Sequence, residues 1–218
     1  MRLTETAWGG NSLQFSSDNR ERFPGLHISQ ISRSLCEARG INKNPSNMTP
    51  EQVDEYAAVG FLEEGFSRML MESLADKPCI VQPPVVAYDG VRGLLLERGD
   101  VVPTGYVIGT PDWLWINDEV ILEDCKATYK SRGGAATPET WVRKNRWDWE
   151  VTTQFYAHAL RACGIAVERI RFRLLFLAGD YRPVKPMRKL WTSDVLRDDD
   201  LEANWQMIWQ HAKENGWL

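Results

Sequence analysis

The sequence predicts a single domain of α/β or α+β class. Three observations carry that expectation. Apolar residues recur at helical spacing near residues 28–36, 149–160 and 201–212. Residues 106–126 read as strands closing into a hairpin, and residues 169–177 alternate apolar with basic side chains. With 218 residues the chain can bury a core without staples. Its 43% hydrophobic and 26% charged residues are a globular rather than a disordered composition.

Taken in order, Ile28, Ile31, Leu35 and Cys36 share one face of a helix over residues 29–39 that stops at Gly40. Thr49 can cap a second helix, with Pro50 at its first position and Gln52 three residues beyond the cap, and this helix runs to residue 75. Gly60 in its middle costs helix stability and signals close packing there. The stretches IVQPPVVAY and VRGLLLE read as loop or edge strand. Residues 106–108 then lead through Gly109, Thr110 and Pro111 to Asp112-Trp-Leu-Trp-Ile. The polar turn Asn117-Asp118-Glu119 follows, and Val120-Ile-Leu-Glu-Asp-Cys-Lys returns as the second strand of a hairpin.

A basic, glycine-containing loop occupies residues 127–137. The helix over 149–162 packs Trp149, Thr153, Tyr156, Ala157 and Leu160, with Gln154 and His158 four apart on a neighbouring face. Along 169–177, Ile170, Phe172, Leu174 and Phe176 face inward while Arg169, Arg171 and Arg173 face out. After a proline-rich loop, Thr192 or Ser193 caps a final helix over about 193–215, whose apolar stripe is Leu201, Trp205, Ile208, Trp209 and Ala212. One domain over 1–218 therefore comprises an N-terminal helical portion (27–75), a core (about 100–178) and the final helix.

Cys36, Cys79, Cys125 and Cys163 include no CxxC pair, which argues against a zinc knuckle or iron–sulfur motif and for reduced thiols. No window approaches a membrane span and MRLTETAWGGNSLQF lacks a signal-peptide core, so a cytoplasmic protein is expected. Although the net charge is −4, residues 126–189 hold fourteen Lys/Arg against five Asp/Glu. That split sets a positive surface on an otherwise acidic chain, as phosphate binding requires; a solvated basic face is the bland alternative.

The hairpin gathers the chemistry. A turn of three residues, Asn117 to Glu119, sets Ile116 opposite Val120 and hence Asp112 opposite Asp124. A shorter turn would shift the register by one unless a bulge near Pro111 restored it. Lys126, two residues beyond Asp124, shares its face. Carboxylates this close repel unless a cation lies between them, and hard oxygen ligands suit Mg²⁺, with Mn²⁺ able to substitute. Such an ion polarises a phosphoryl oxygen and acidifies a water. Lys126 can orient that water, assist its deprotonation or stabilise charge on the phosphate. The plain alternative is that Asp112 and Asp118 are turn residues and Lys126 a surface lysine.

Gly109-Thr110-Pro111-Asp112 followed by Glu123-Asp124-Cys125-Lys126 resembles the PD-(D/E)XK nuclease signature. The resemblance is closest to the branch of RecB, lambda exonuclease and other phage-type recombination exonucleases. An upstream GxxxE is similar to Gly60-Phe-Leu-Glu-Glu64, which makes Glu64 a further catalytic and metal-ligating candidate, with Glu63 in reserve. A downstream QxxxY is matched by Gln154-Phe-Tyr-Ala-His158, with histidine where tyrosine is usual. The resemblance spans residues 60–158 and implies a restriction-endonuclease-like α/β core, a mixed central sheet flanked by helices. It implies a catalytic set of Asp112, Asp124, Lys126, Glu64 and Gln154, with Mg²⁺ held by Asp112, Asp124 and Glu64. The clustered C-terminal cysteines of the branch's iron–sulfur members are absent, so no iron–sulfur cluster is expected.

Lys130, Arg132, Arg143, Lys144 and Arg146 are the candidates for DNA backbone contact, with His158 a further contact near the site. Arg143 and Lys144 precede the Gln154 helix, whose positive N-terminal end favours a phosphate. The expected function is a metal-dependent deoxyribonuclease, an exonuclease of DNA recombination, repair or end processing. A structure-selective or site-specific endonuclease and a catalytically inactive nucleic-acid-binding module are the alternatives. The resemblance also implies a homo-oligomer and a single-strand annealing or recombination protein as partners.

Overall fold

A computed structural model of the chain describes residues 25–41, 79–81, 85–97, 99–116, 118–128, 142–144, 146–176, 187–194 and 197–218. Strand β1 (Leu26–His27) runs into helix α1 (Ile28–Ala38). Strands β2 (Cys79–Val81), β3 (Val85–Tyr88), β4 (Gly93–Leu96), β5 (Val107–Gly109), β6 (Trp113–Ile116) and β7 (Val120–Thr128) follow. Helix α2 (Trp147–Ala162), strands β8 (Val167–Phe176) and β9 (Met187–Asp194) and helix α3 (Asp198–Glu214) complete the order.

The strands form two sheets, one in the order β1-β5-β3-β4 and one in the order β2-β6-β7-β8-β9. The second is mixed. Strand β7 pairs antiparallel with β6 and parallel with β8, while β8 and β9 are antiparallel. The parallel β7–β8 step requires a crossover, and α2 supplies it. Strand β5 ends in the first sheet and β6 begins in the second, so the chain changes sheets across Thr110, Pro111 and Asp112.

One core unites these layers. Ile28, Ile31 and Leu35 of α1 bury against a cluster that includes Trp149, Phe155 and Leu160 of α2, Leu122 of β7 and Ile170 and Phe172 of β8. Each such aliphatic side chain contributes about 1.5–3 kcal/mol by leaving water, which is why the expected α1 stripe holds its helix in place. Ser32 and Thr152, both buried, share a hydroxyl–hydroxyl hydrogen bond of 2.7 Å that satisfies them at the α1–α2 contact. Helix α3 closes the other side of α2 through Leu201, Trp205, Ile208 and Ala212. Trp205 meets Tyr88 edge-on at 4.9 Å and lies 5.7 Å from Phe155, so tryptophan serves packing here.

Of the two readings open for VRGLLLE and IVQPPVVAY, loop or edge strand, the structure takes the second: VRGLLLE and the end of IVQPPVVAY form the β3–β4 hairpin, with β4 at the edge of its sheet. Asp89 Oδ1 accepts the N–H groups of Val91 (2.8 Å) and Arg92 (2.7 Å), and Gly90 takes φ +101° in the turn. The final helix does differ from expectation: residues 187–194 are strand β9, which pairs with the edge of β8, so no helix begins at Thr192 or Ser193. Helix α3 begins at Asp198 instead, where Asp198, Asp199 and Asp200 place negative charge in its first turn.

The architecture is α/β with mixed sheets flanked by helices, consistent with a restriction-endonuclease-like core. Among the described residues no helix is long and apolar enough to cross a membrane. The helix expected over residues 49–75, with Gly60, Glu63 and Glu64, lies outside the described residues, as do Lys130 and Arg132.

Candidate functional site

The β6–β7 hairpin has the three-residue turn read from the sequence. Its register pairs Ile116 with Val120 and Trp113 with Glu123, so one further step sets Asp112, at the joint between the sheets, across from Asp124. Alternation along β7 then separates two carboxylates by function. Glu123 points away from Leu122 and Asp124 and is fully buried, accepting hydrogen bonds from Trp115 Nε1 (3.0 Å) and Arg171 Nη1 (3.3 Å). Asp124 is 1% exposed on the face it shares with Leu122 and Lys126.

Lys126 Nζ lies 2.6 Å from Asp124 Oδ2, with a quarter of the lysine side chain still exposed. Burial alone would lower the affinity of this amine for its proton. The Asp124 and Asp112 carboxylates outweigh that effect and hold the Lys126 ammonium well above the ordinary lysine range. Both aspartates therefore act on one cation, and the group is gathered in space as the hairpin geometry predicts.

A residue that the sequence reading treated only as packing joins them. Tyr156 is buried, and its hydroxyl interacts with Asp124, Lys126 and Asp112. Burial and then the Asp124 carboxylate push that hydroxyl far above the usual tyrosine value, against the pull of Lys126 and of the Thr110 N–H that donates to it. Its ring occupies the space over Gly109, where a Cβ would fall on Tyr156 Cε1 and 2.9 Å from Ile28 Cγ2. The glycine ending β5, four residues ahead of the hairpin strand, was the available signal for such an approach.

Gln154 of α2 is 4% exposed, and its Oε1 has no hydrogen-bond partner among the described residues. His158, which stands at the tyrosine position of the QxxxY pattern, is turned elsewhere. Its Nε2 is 3.0 Å from the Tyr88 hydroxyl and 3.4 Å from Glu202 Oε2, and its ring meets Tyr88 edge-on at 4.8 Å. Two helical positions separate it from Tyr156, a rotation of about 200°, so one of the two turns to β7 and the other to β3 and α3.

The basic candidates divide as well. Arg146 Nε and Nη2 donate to the two oxygens of Asp148 (2.9 and 2.8 Å), and its guanidinium stacks 4.1 Å from the Trp149 ring. It is tied down at the start of α2. Arg143 and Lys144 are exposed, with Arg143 3.6 Å from Glu150. In the outer strip of β8, Arg169 pairs with Glu119 (3.0 Å) and Arg171 with Glu123 (3.3 Å). Among the described residues no group of three His, Cys, Asp or Glu side chains is gathered to hold a metal. Asp112 and Asp124 are two, and Glu64 lies outside the described residues.

No protein-family model and no curated protein matches the chain. Solved structures do match in fold. The phage-related exonuclease from Haemophilus somnus 129PT is 8% identical, with 88% of this chain and 93% of that chain covered and a TM-score of 0.50. What the two chains share is a fold. The structure of SSO0001, at 12% identity, aligns with 88% of this chain and 77% of its own at a TM-score of 0.43. The α/β core that carries Asp112, Asp124 and Lys126 is thus also the core of a phage-related exonuclease.

Proposed function

We propose that this protein is a metal-dependent deoxyribonuclease that hydrolyses phosphodiester bonds, working as an exonuclease in DNA recombination, repair or end processing. The observation that carries the reading is the group of Asp112, Asp124 and Lys126. Two carboxylates from opposite strands of one hairpin act on a single ammonium beneath a partly open surface. The fold shared with a phage-related exonuclease supports it.

The donor set fits a hard cation. Asp124 is a buried carboxylate with Lys126 Nζ 2.6 Å away, Asp112 acts on the same ammonium, and both offer oxygen. Asp112 and Asp124 would hold Mg²⁺ or Mn²⁺, with Glu64 as the proposed third ligand, and the ion would supply a Lewis acid toward a phosphoryl oxygen. The two carboxylates favour the ammonium form of Lys126, and an ammonium there can stabilise negative charge on the phosphate. Gln154, whose buried Oε1 has no partner among the described residues, can accept a hydrogen bond from a water or hydroxyl in the site. Arg143 and Lys144, exposed before α2, are proposed to hold the DNA backbone.

The test is a digestion time course with Mg²⁺ or Mn²⁺ on end-labelled linear, covalently closed circular, single-stranded and duplex DNA. Loss of label from linear substrate, with closed circles intact, is expected. Cleavage of closed circles would make the enzyme an endonuclease. No metal-dependent cleavage on any of them would leave a nucleic-acid-binding module on a nuclease fold.

A further inference from the structure

The hairpin that carries Asp124 and Lys126 has no apolar stripe of its own. Trp113-Leu-Trp-Ile116 and Val120-Ile-Leu122 are unbroken apolar runs, and Trp113, Leu114 and Trp115 are all buried. Hydrophobic patterning therefore does not tell the hairpin which face to give to the helices. The choice decides the site, because turning the hairpin over, or slipping β7 by one residue, sends Asp124 and Lys126 to the opposite face. In the structure Leu114 and Leu122 join the core with Ile170 and Phe172, whereas Trp115 and Ile121 form a separate cluster on the other face.

Strand β8 carries the missing information. Its Ile170 and Phe172 are fully buried in the core, and Arg169 and Arg171 alternate with them. Glu123 transmits that alternation to β7. It stands opposite Arg171 in the ladder, its Oε2 accepts from Arg171 Nη1 at 3.3 Å, and the same oxygen accepts from Trp115 Nε1 of β6 at 3.0 Å. The guanidinium lies 5.9 Å from the centre of the Trp115 ring. Three adjacent strands are thus joined through one fully buried carboxylate. Turned to the other face, that carboxylate would meet the carbon surfaces of Ile170 and Phe172 without either donor, a placement that burial of charge strongly disfavours.

We propose that Glu123 is a positioning residue that fixes which face of the sheet β7 presents to the core, and so delivers Asp124 and Lys126 to the site. The consequence for cleavage rests on the nuclease reading; the choice of face does not. A buried ion pair replaced by carbon of similar volume often leaves stability unchanged, and its better-attested use is to select one arrangement among several. That property separates positioning from support.

The test combines Glu123→Leu with Arg171→Leu, which removes both charges and extends the apolar run of β7. Urea unfolding, indole ¹H–¹⁵N spectra and steady-state cleavage of linear duplex DNA are measured on the full-length chain, with the Trp115 signal assigned by its loss in Trp115→Phe. The unfolding midpoint should stay near wild type. The Trp115 indole should show a second signal from chains whose hairpin is turned over. In the same variant kcat should fall about tenfold or more with KM for DNA unchanged, the mark of misplaced rather than missing groups. Glu123→Gln alone, whose amide oxygen still accepts from both donors, should keep one indole signal and a kcat within a few-fold of wild type. One Trp115 signal in the double variant, or a wild-type kcat, overturns the proposal, as does a second signal in Glu123→Gln. A double variant that does not fold overturns it too, since the pair would then be support and not a selector. A wild-type chain that cleaves no DNA with Mg²⁺ or Mn²⁺ sinks the nuclease reading alone, because the indole spectra still report which way the hairpin faces.

Discussion

Lys126 Nζ stands 2.6 Å from Asp124 Oδ2, and the carboxylate that receives it is 1% exposed while the lysine is a quarter exposed. The pair is asymmetric in solvation. Asp124 has left water, whereas part of the Lys126 side chain remains at the surface. A buried carboxylate is costly without a compensating charge, so Lys126 supports the folded hairpin, and on the proposed reading it would also meet the phosphate.

Asp112→Asn and Asp124→Asn should each reduce Mg²⁺-dependent DNA cleavage by about a hundredfold or more, because an amide keeps the shape and removes the anionic oxygens a hard cation requires. Circular dichroism and calorimetry run beside the nuclease assay separate chemistry from folding. Wild-type cleavage by either folded variant would remove that residue from the site.

Lys126→Met should cost about 1–3 kcal/mol of stability at neutral pH, since it leaves the buried Asp124 carboxylate without its cation. It should also abolish cleavage while DNA binding survives. Urea unfolding gives the first quantity and fluorescence anisotropy with labelled DNA the last. A variant as stable as wild type would show that Asp124 is satisfied by something other than Lys126.

Replacing Arg143 and Lys144 together with alanine should weaken DNA binding on unrelated sequences and flatten its dependence on salt, reducing the slope against log salt by about one to two. Both side chains are exposed and neither is buried in the core. Arg146→Ala should act differently, lowering stability through the lost Asp148 bonds and the Trp149 stack. A salt slope that survives the double substitution would assign Arg143 and Lys144 to the solvent face.

His158 makes a pH prediction with a definite sign. Burial lowers its proton affinity below the ordinary histidine value of 6.5, against the opposing pull of Glu202 and Asp198 and with some help from Arg161. A group whose folded value is depressed contributes stability that is complete above the unfolded value and lost as pH falls through the folded one. Unfolding free energy should therefore decline as pH drops below about 6.5, and more so in wild type than in His158→Gln. The two profiles, read by urea unfolding between pH 8 and pH 5, should converge toward the acid end. Parallel profiles would mean that His158 titrates alike in the folded and unfolded chain.

The sequence by itself determined what depends on local spacing. A three-residue turn dictates the hairpin register that sets Asp112 across from Asp124, and strand alternation puts Lys126 on Asp124's face. The 3.6-residue period likewise identifies Ile28, Ile31, Leu35 and Cys36 as the buried stripe of α1. Tertiary structure alone decided which side of α2 meets the hairpin. Its buried residues run from Asp148 to Leu160 on nearly every side, so the stripe of Trp149, Thr153, Tyr156, Ala157 and Leu160 read from the sequence covers only part of what is buried and does not say which element each side meets. The QxxxY pattern directs attention to His158, but packing against Tyr88 and Glu202 turns that residue toward β3 and α3 and brings Tyr156 to Lys126. Strand β9 was illegible for a related reason: MRKLWTSD has no clean alternation, and it becomes a strand by pairing its backbone with the open edge of β8. Arg146 reads in sequence as a DNA backbone contact, and the structure adds that its guanidinium pairs with Asp148 and stacks on Trp149, two and three residues further along. Periodicity encodes which residues a single element presents, whereas the partner each one meets is set by contacts between elements far apart in the chain.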